Sequence, residues 1–441
     1  VAYGMIGASI SGVTFISIPG DVGSTHFSYM VIVLGYLVGY FLIANVLLPV
    51  YYRLNLTSIY TYLGQRFGNY SYKTGSFFFL LSRLIGSSFR MFLAVNVLHI
   101  FVFSAWGMPF WLTAVIFIIF IWIYTFRSGI RTIVWTDTLQ TTFLLTAVII
   151  TIVVIASHME VSLGGLFRQV FDSEYSQVLY TGWRHPHFYI KDFLAGAFIA
   201  VVMTGLDQDM MQKNLSCKNI RDAKKNIYSL GFALIPVNFL FLSMGAMLYL
   251  FSASQGIPVP ERTDDLYPVI ALNYLGIVAS LFFVIGIISA AYSSADGTLT
   301  ALTTVLTVDI LGIEKKKFTN ERQTIRFRYL VHMLISLVVL MVIVLFEAIN
   351  NASVISQLFT IAGYTYGPLL GLYSFGLFTR YEVKDRWVPV VAIVSPIVCY
   401  FLSIYDQLLL NGYNFGFELL IINGIFTFSG LWILRRKNSL N

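Results

Sequence analysis

Apolar residues in this chain arrive in blocks of about 20, separated by short polar connectors. About 20 residues of helix span a hydrocarbon core roughly 30 Å thick. Twelve such blocks can be drawn, at roughly 1–19, 28–50, 74–105, 109–126, 131–156, 190–212, 226–251, 269–311, 327–347, 352–378, 387–404 and 416–434. The third and eighth exceed what a bilayer needs, which predicts tilt or extension past its surface. The hydrophobicity is continuous rather than alternating, so the spans are predicted helices and not barrel strands. Composition agrees: 57% of the 441 residues are apolar and 11% charged, against about a quarter charged in soluble domains. One all-α, polytopic membrane domain covering 1–441 is the economical organisation.

The net charge of +7 invites a nucleic-acid reading, but the positions of the charges answer it. With the start of the chain in the cytoplasm, 22 of the 28 Lys and Arg fall in internal loops and the C-terminal tail. Four fall outside (Arg168, Arg184, Lys191 and Arg262), and two, Arg83 and Arg90, lie within a span. That asymmetry is the positive-inside rule. It predicts a multi-pass protein of the inner (plasma) membrane, with the lipid bilayer as partner and no nucleic acid. Cys217 lies in an internal loop and Cys399 inside a span, too far apart to pair. The histidines show no metal-ligand spacing, and no nucleophile–base pair or phosphate loop is present. An enzyme is not supported, and no cofactor is expected.

A few spans hold residues that hydrocarbon does not tolerate without a reason. Span one reads Gly7-Ala8-Ser9-Ile10-Ser11-Gly12-Val13-Thr14, and span eight contains Ser289 through Gly297. Small-residue runs allow close helix packing. They also suit a locally broken helix whose freed carbonyls face a cavity and bind an ion. Sodium is a hard cation that prefers oxygen. Carbonyls of span one with the Ser293 and Ser294 hydroxyls would give it a shell without formal charge.

Arg83 and Arg90 are two helical turns apart on one face of span three. Arg90 has Asp137 and Asp296 as candidate partners; a guanidinium left unpaired in a cavity grips a carboxylate through two parallel hydrogen bonds. Asp207 and Asp209, near the cytoplasmic end of span six, read as a polar gate or helix-end network.

These pieces resemble the sodium/solute symporters, the family of the proline, glucose, sialic acid and monocarboxylate carriers. The similarity runs nearly end to end. It includes Ser11-Gly12-Val13-Thr14-Phe15 through Pro19-Gly20, Leu56-Thr57-Ser58, Arg66-Phe67-Gly68, Trp135-Thr136-Asp137, Asp207-Gln208, Ser293-Ser294-Ala295-Asp296 and Gly367-Pro368-Leu369-Leu370-Gly371. The resemblance implies a leucine-transporter-like core of two inverted five-helix repeats, about 1–156 and 190–378, with two further C-terminal helices about 387–434. It also implies one helix upstream of Val1. The implied sodium ligands are the carbonyls of Gly7, Ile10 and Ala290 and the hydroxyls of Ser293 and Ser294. A second cation site would use Asp137 and Asp296, weakened because Gly297 stands where a hydroxyl is expected.

For the solute, the resemblance implies Ser11, Thr14 and an arginine of span three, which aligns with Arg83 and leaves Arg90 one or two turns later. Ala200 and Met203 stand where sugar carriers have Asn and Tyr. The implied activity is secondary active transport by alternating access. Inward sodium movement would drive uptake of a small solute, carboxylate-bearing and anionic, such as a sialic acid. A neutral sugar, polyol or amino acid, or a proton-coupled carrier using Asp137 or Asp296, are the alternatives, and a non-transporting sensor is a further one.

Overall fold

The computed structural model describes residues 2–54, 56, 58–125, 130–312, 321–349 and 353–436. Within them, fourteen helices carry the membrane-facing architecture. These are α1 (Ala2–Ser9), α2 (Ile18–Thr25), α3 (Tyr29–Leu54), α4 (Asn69–Trp106), α5 (Phe110–Thr125), α6 (Ile130–His158) and α7 (Tyr189–Gly205). They continue with α8 (Gln208–Leu215), α9 (Ile220–Gln255), α10 (Gly276–Ile310), α11 (Glu321–Ile349), α12 (Val354–Phe378), α13 (Val388–Ile404) and α14 (Leu419–Ile433).

Among the described residues, seven helices are long and apolar enough to cross a membrane alone, and α7 with α8 forms an eighth crossing bent by 68°. The other four expected spans hold shorter, broken or less apolar helices. These are α1 with α2, then α5, α12 and α14.

One of the boundaries differs from expectation. Span eight is not one long tilted helix: a short helix, Leu266–Asn273, ends before α10 restarts at Gly276 with φ +76°. That left-handed backbone favours glycine. The external stretch 157–189 contains a helix, Leu163–Asp172, whose N-terminus is capped by the Ser162 hydroxyl accepting from Gly165 N at 3.1 Å. Residues 382–383 also pair antiparallel with 435–436, a two-residue ribbon beside an otherwise helical bundle.

Sequence explains the helix ends. α9 starts where the Asn219 side chain accepts from Asp222 N at 2.9 Å and stops at Gly256, φ +63°. Its 36 residues make about 54 Å of helix, more than a bilayer core. α4 is capped from far away, since the Asp385 carboxylate accepts from Tyr70 N at 2.9 Å and Ser71 N at 2.8 Å. A carboxylate at a helix N-terminus is favoured by the macrodipole.

The helices divide into two packed groups. α3 lies against α7, and α1, α2 and α3 all touch α9. On the other side α4 packs on α10, α11 and α12, while α6 packs on α10 and also on α1 and α9, bridging the two groups. The α3–α7 contact is backbone to backbone. A Cβ on Gly35 would sit 2.2 Å from the Phe193 carbonyl, and one on Gly196 would sit 2.1 Å from that of Ile32. Small residues permit this approach. α13 and α14 pack outside on α12, with Asn423 donating to the Gly363 and Tyr364 carbonyls at 2.9 Å each.

Candidate functional site

Span one is broken where its small residues cluster. α1 ends at Ser9, Ile10 and Ser11 are not helical, and the chain resumes through a single wide turn, Val13–Ser17, into α2. Ile10 N still reaches the Ile6 carbonyl at 2.8 Å, and Phe15 N reaches that of Ser11 at 3.1 Å. Among the described residues no backbone amide donates to the carbonyls of Gly7 or Ile10. Both residues are buried, as is Ala290 on the facing α10. Ser293, Ser294 and Asp296 also ride on α10 and Asp137 on α6, but their side chains lie outside the described residues.

Span six is broken as well, between Gly205 and Gln208. Here the protein fills the freed backbone positions itself. Tyr51 donates to the Gly205 carbonyl at 2.9 Å and Tyr60 to that of Leu206 at 2.8 Å. The Asp207 side chain caps α8 by accepting from Met210 N at 3.1 Å. Two crossings are therefore interrupted at depth: one interruption is closed by tyrosines, the other keeps bare carbonyls. Irregular backbone in a membrane survives only where protein or a cavity's contents satisfy it.

Between the breaks lies a cavity of about 100 Å³. Ser9, Ser11, Thr14, Arg83 and Arg90 line it, so the break after α1 and the helix α4 bring the three expected solute residues, Ser11, Thr14 and Arg83, together. Ala200 and Met203 of α7 form an apolar part of the wall. Tyr29, Tyr36, Tyr40 and Asn238 line it too; the sequence reading passed over them. The signal for the tyrosines was present in hydroxyl-bearing residues recurring along one apolar span.

The two arginines differ in their surroundings. Arg83 spends both terminal nitrogens on carboxylates, Nη1 on Asp207 at 3.2 Å and Nη2 on Asp209 at 3.1 Å. Lys213 adds a 3.7 Å contact to Asp209. Asp207 and Asp209 thus form the helix-end network expected of them, and Arg83 is its cation. Arg90 has no ion pair or hydrogen bond among the described residues, and the Nε of both arginines is buried without a hydrogen-bond partner. Among the described residues, the cavity therefore holds one guanidinium in ion pairs, Arg83, and one in none, Arg90.

Toward the side that the charge count assigns to the exterior, Tyr29 and Phe359 stack with ring centres 6.3 Å apart and planes 8° from parallel. Both rings line the central cavity and a smaller one beyond it.

The profile of the sodium:solute symporter family matches residues 1–382. The chain belongs to that family. It is 24% identical over 385 residues to the sodium/sialic acid symporter NanT of Aliivibrio fischeri, covering 86% of this chain and 75% of that one. It is 25% identical over 398 residues to the sodium-dependent multivitamin transporter of Oryctolagus cuniculus, covering 86% of this chain and 59% of that longer protein. The structure superposes on that of a sodium-coupled sialic acid symporter, substrate-bound and outward-open, with TM-score 0.81 and 19% identity. The superposition covers 98% of this chain and 88% of the other. The fold is thus the leucine-transporter-like one of sodium symporters, with two further C-terminal helices. Membership makes this sodium:solute symporter a multi-pass transporter of the plasma membrane, with sodium as coupling ion, and not an enzyme.

Proposed function

We propose that this symporter carries a small carboxylate-bearing anion, such as a sialic acid, in a sodium-coupled cycle with a sodium ion at the α1 break. The observation that carries the proposal is Arg90, a guanidinium in the cavity wall without a counter-ion among the described residues, beside an Arg83 whose two terminal nitrogens are on carboxylates. A buried cation without a counter-ion is costly, and an incoming carboxylate removes that cost through two parallel hydrogen bonds. Ser11 and Thr14 offer hydroxyls to the rest of the solute. The relatives that are named for sialic acid support the same chemistry. Arg83, aligned with the solute arginine by resemblance, positions α8 through its two aspartates.

Sodium sits at the α1 break, held by the carbonyls of Gly7, Ile10 and Ala290 and the hydroxyls of Ser293 and Ser294. The bare Gly7 and Ile10 carbonyls support that assignment. A second cation at Asp137 and Asp296 is disfavoured at Gly297. A Cβ there would lie 2.8 Å from the Asp209 carboxylate, so a hydroxyl-bearing side chain could not stand there without displacing a group already paired with Arg83 and Lys213. The repeats run about 1–156 and 190–378, each opening on a broken helix. Sodium favours the outward-facing state and orders the solute residues beside it, and both ligands leave inward as the two helix groups rock.

Equilibrium binding of a radiolabelled sialic acid to purified protein in saturating sodium tests the anion. Arg90→Gln is expected to weaken it by about 30-fold or more, as loss of a buried charge partner does. Unchanged affinity would remove the carboxylate from this reading.

A further inference from the structure

A second cavity, of about 50 Å³, lies directly outside the Tyr29–Phe359 pair, and a third, of about 230 Å³, lies beyond it. His187, Ser356, Phe359 and Phe417 border both, so the three cavities form one route from the exterior-side loops to the central site. The charges along that route are ordered. Asp406 lines the outermost cavity and Asp21 the middle one, while arginine appears only in the central cavity.

The middle cavity carries a hard-cation donor set. Its wall includes the Asp21 carboxylate and the hydroxyl-bearing Thr25, Ser28, Tyr29 and Ser356. Asp21 is fixed by two neutral donors, the Ser353 hydroxyl at 2.9 Å on one oxygen and the Thr263 hydroxyl at 3.3 Å on the other. It has no ion pair among the described residues. Thr25 donates its hydroxyl hydrogen to the Asp21 carbonyl at 3.0 Å, which leaves its oxygen lone pairs to accept or coordinate. Ser28 is 1% exposed, and its hydroxyl has no hydrogen-bond partner. An orphaned buried hydroxyl beside an unneutralised carboxylate is an unsatisfied arrangement unless something enters the space. Water needs about 10–15 Å³ of such space, so 50 Å³ accommodates an ion with part of its shell.

We propose that this middle cavity is an outer sodium-binding site, with Asp21 as charged ligand and the hydroxyls of Thr25, Ser28 and Ser356 as neutral ones. Alkali cations favour oxygen ligands, and one carboxylate among hydroxyls binds without trapping. The site is distinct from the α1 break and does not depend on where the central sodium lies. It also sets an order of events. An anion approaching the central arginines must pass Asp21, and sodium held there removes the repulsion, so sodium enters before the solute.

The test is equilibrium binding of radiolabelled sodium to the full chain in lipid nanodiscs, without solute. Wild type is expected to bind two sodium ions per chain. Ser28→Ala, which leaves both Asp21 hydrogen bonds in place, and Asp21→Asn should each weaken one class of site by about tenfold or more, as lost coordination does. Ser294→Ala should weaken the other class, which separates failure of this site from failure of the central one. The proposal is overturned if wild type binds a single sodium ion that Ser294→Ala abolishes, or if Ser28→Ala leaves both classes unchanged. A folded Asp21→Asn variant with unaltered sodium binding would overturn it equally.

Discussion

Tyr60 donates its hydroxyl to the Leu206 carbonyl at 2.8 Å, closing from outside the helix a backbone position left open by the turn between α7 and α8. No backbone amide among the described residues shares that carbonyl. Tyr60→Phe keeps the ring and strands the acceptor, an omission that costs about 1–3 kcal/mol when buried. A lower thermal midpoint in detergent is expected, and an unchanged one would mean that water replaces the tyrosine.

The two arginines of α4 should respond in opposite directions. Arg83→Gln leaves Asp207, whose side chain is fully buried, without its cation. Breaking one half of a buried pair costs about 3–5 kcal/mol. Arg90→Gln removes a charge that has no partner among the described residues, so stability should hold or rise while anion binding weakens. Thermal unfolding and solute binding measured on the same two preparations check this; parallel losses of stability would refute the distinction.

Gly297 packs against Asp209 so closely that any side chain must displace the carboxylate. Gly297→Ser is expected to destabilise by about 1–3 kcal/mol, the usual cost of overpacking. If instead the serine restores a second cation site, sodium binding per chain will increase, and stability in sodium will rise rather than fall.

Asp264 lies in the loop before α10, outside the spans, and accepts from Val354 N at 2.9 Å at the start of α12. Burial, and then the charge of Asp21, push its carboxyl up to about 7. A folded-state value above the ordinary one favours folding at low pH and loses that contribution as pH rises through it. The thermal midpoint should therefore fall as pH rises from about 4 to about 7 and level off above that, and Asp264→Asn should flatten the slope. An equal slope in the variant would assign the effect to another group.

Much of this was legible in the sequence because bilayer thickness dictates span length and loop charge dictates orientation. The twelve apolar blocks each hold a helix or a helix pair. The run Gly7–Thr14 marked the first break, since small and hydroxyl residues at that depth have few uses. The second break went unread, although Gly205 followed by Asp207, a capping residue, was its signal. What sequence cannot supply is which arginine is neutralised. Arg83 and Asp209 are 126 positions apart, and only the bend between α7 and α8 brings them together. The tyrosine caps are equally non-local: Tyr51 and Tyr60 read as ordinary span-edge aromatics until Gly205 and Leu206 arrive beside them.

Sodium-dependent uptake of a radiolabelled sialic acid into proteoliposomes tests the central claim most directly, with wild type, Ser293→Ala and Ser294→Ala compared over a series of external sodium concentrations. An inward sodium gradient should drive accumulation in wild type, replacement of sodium by choline at fixed pH should abolish it, and each variant should need about tenfold or more sodium for half-maximal uptake. Uptake that persists in choline, or that keeps its sodium requirement unchanged in both variants, would contradict a sodium ion bound between the α1 break and α10.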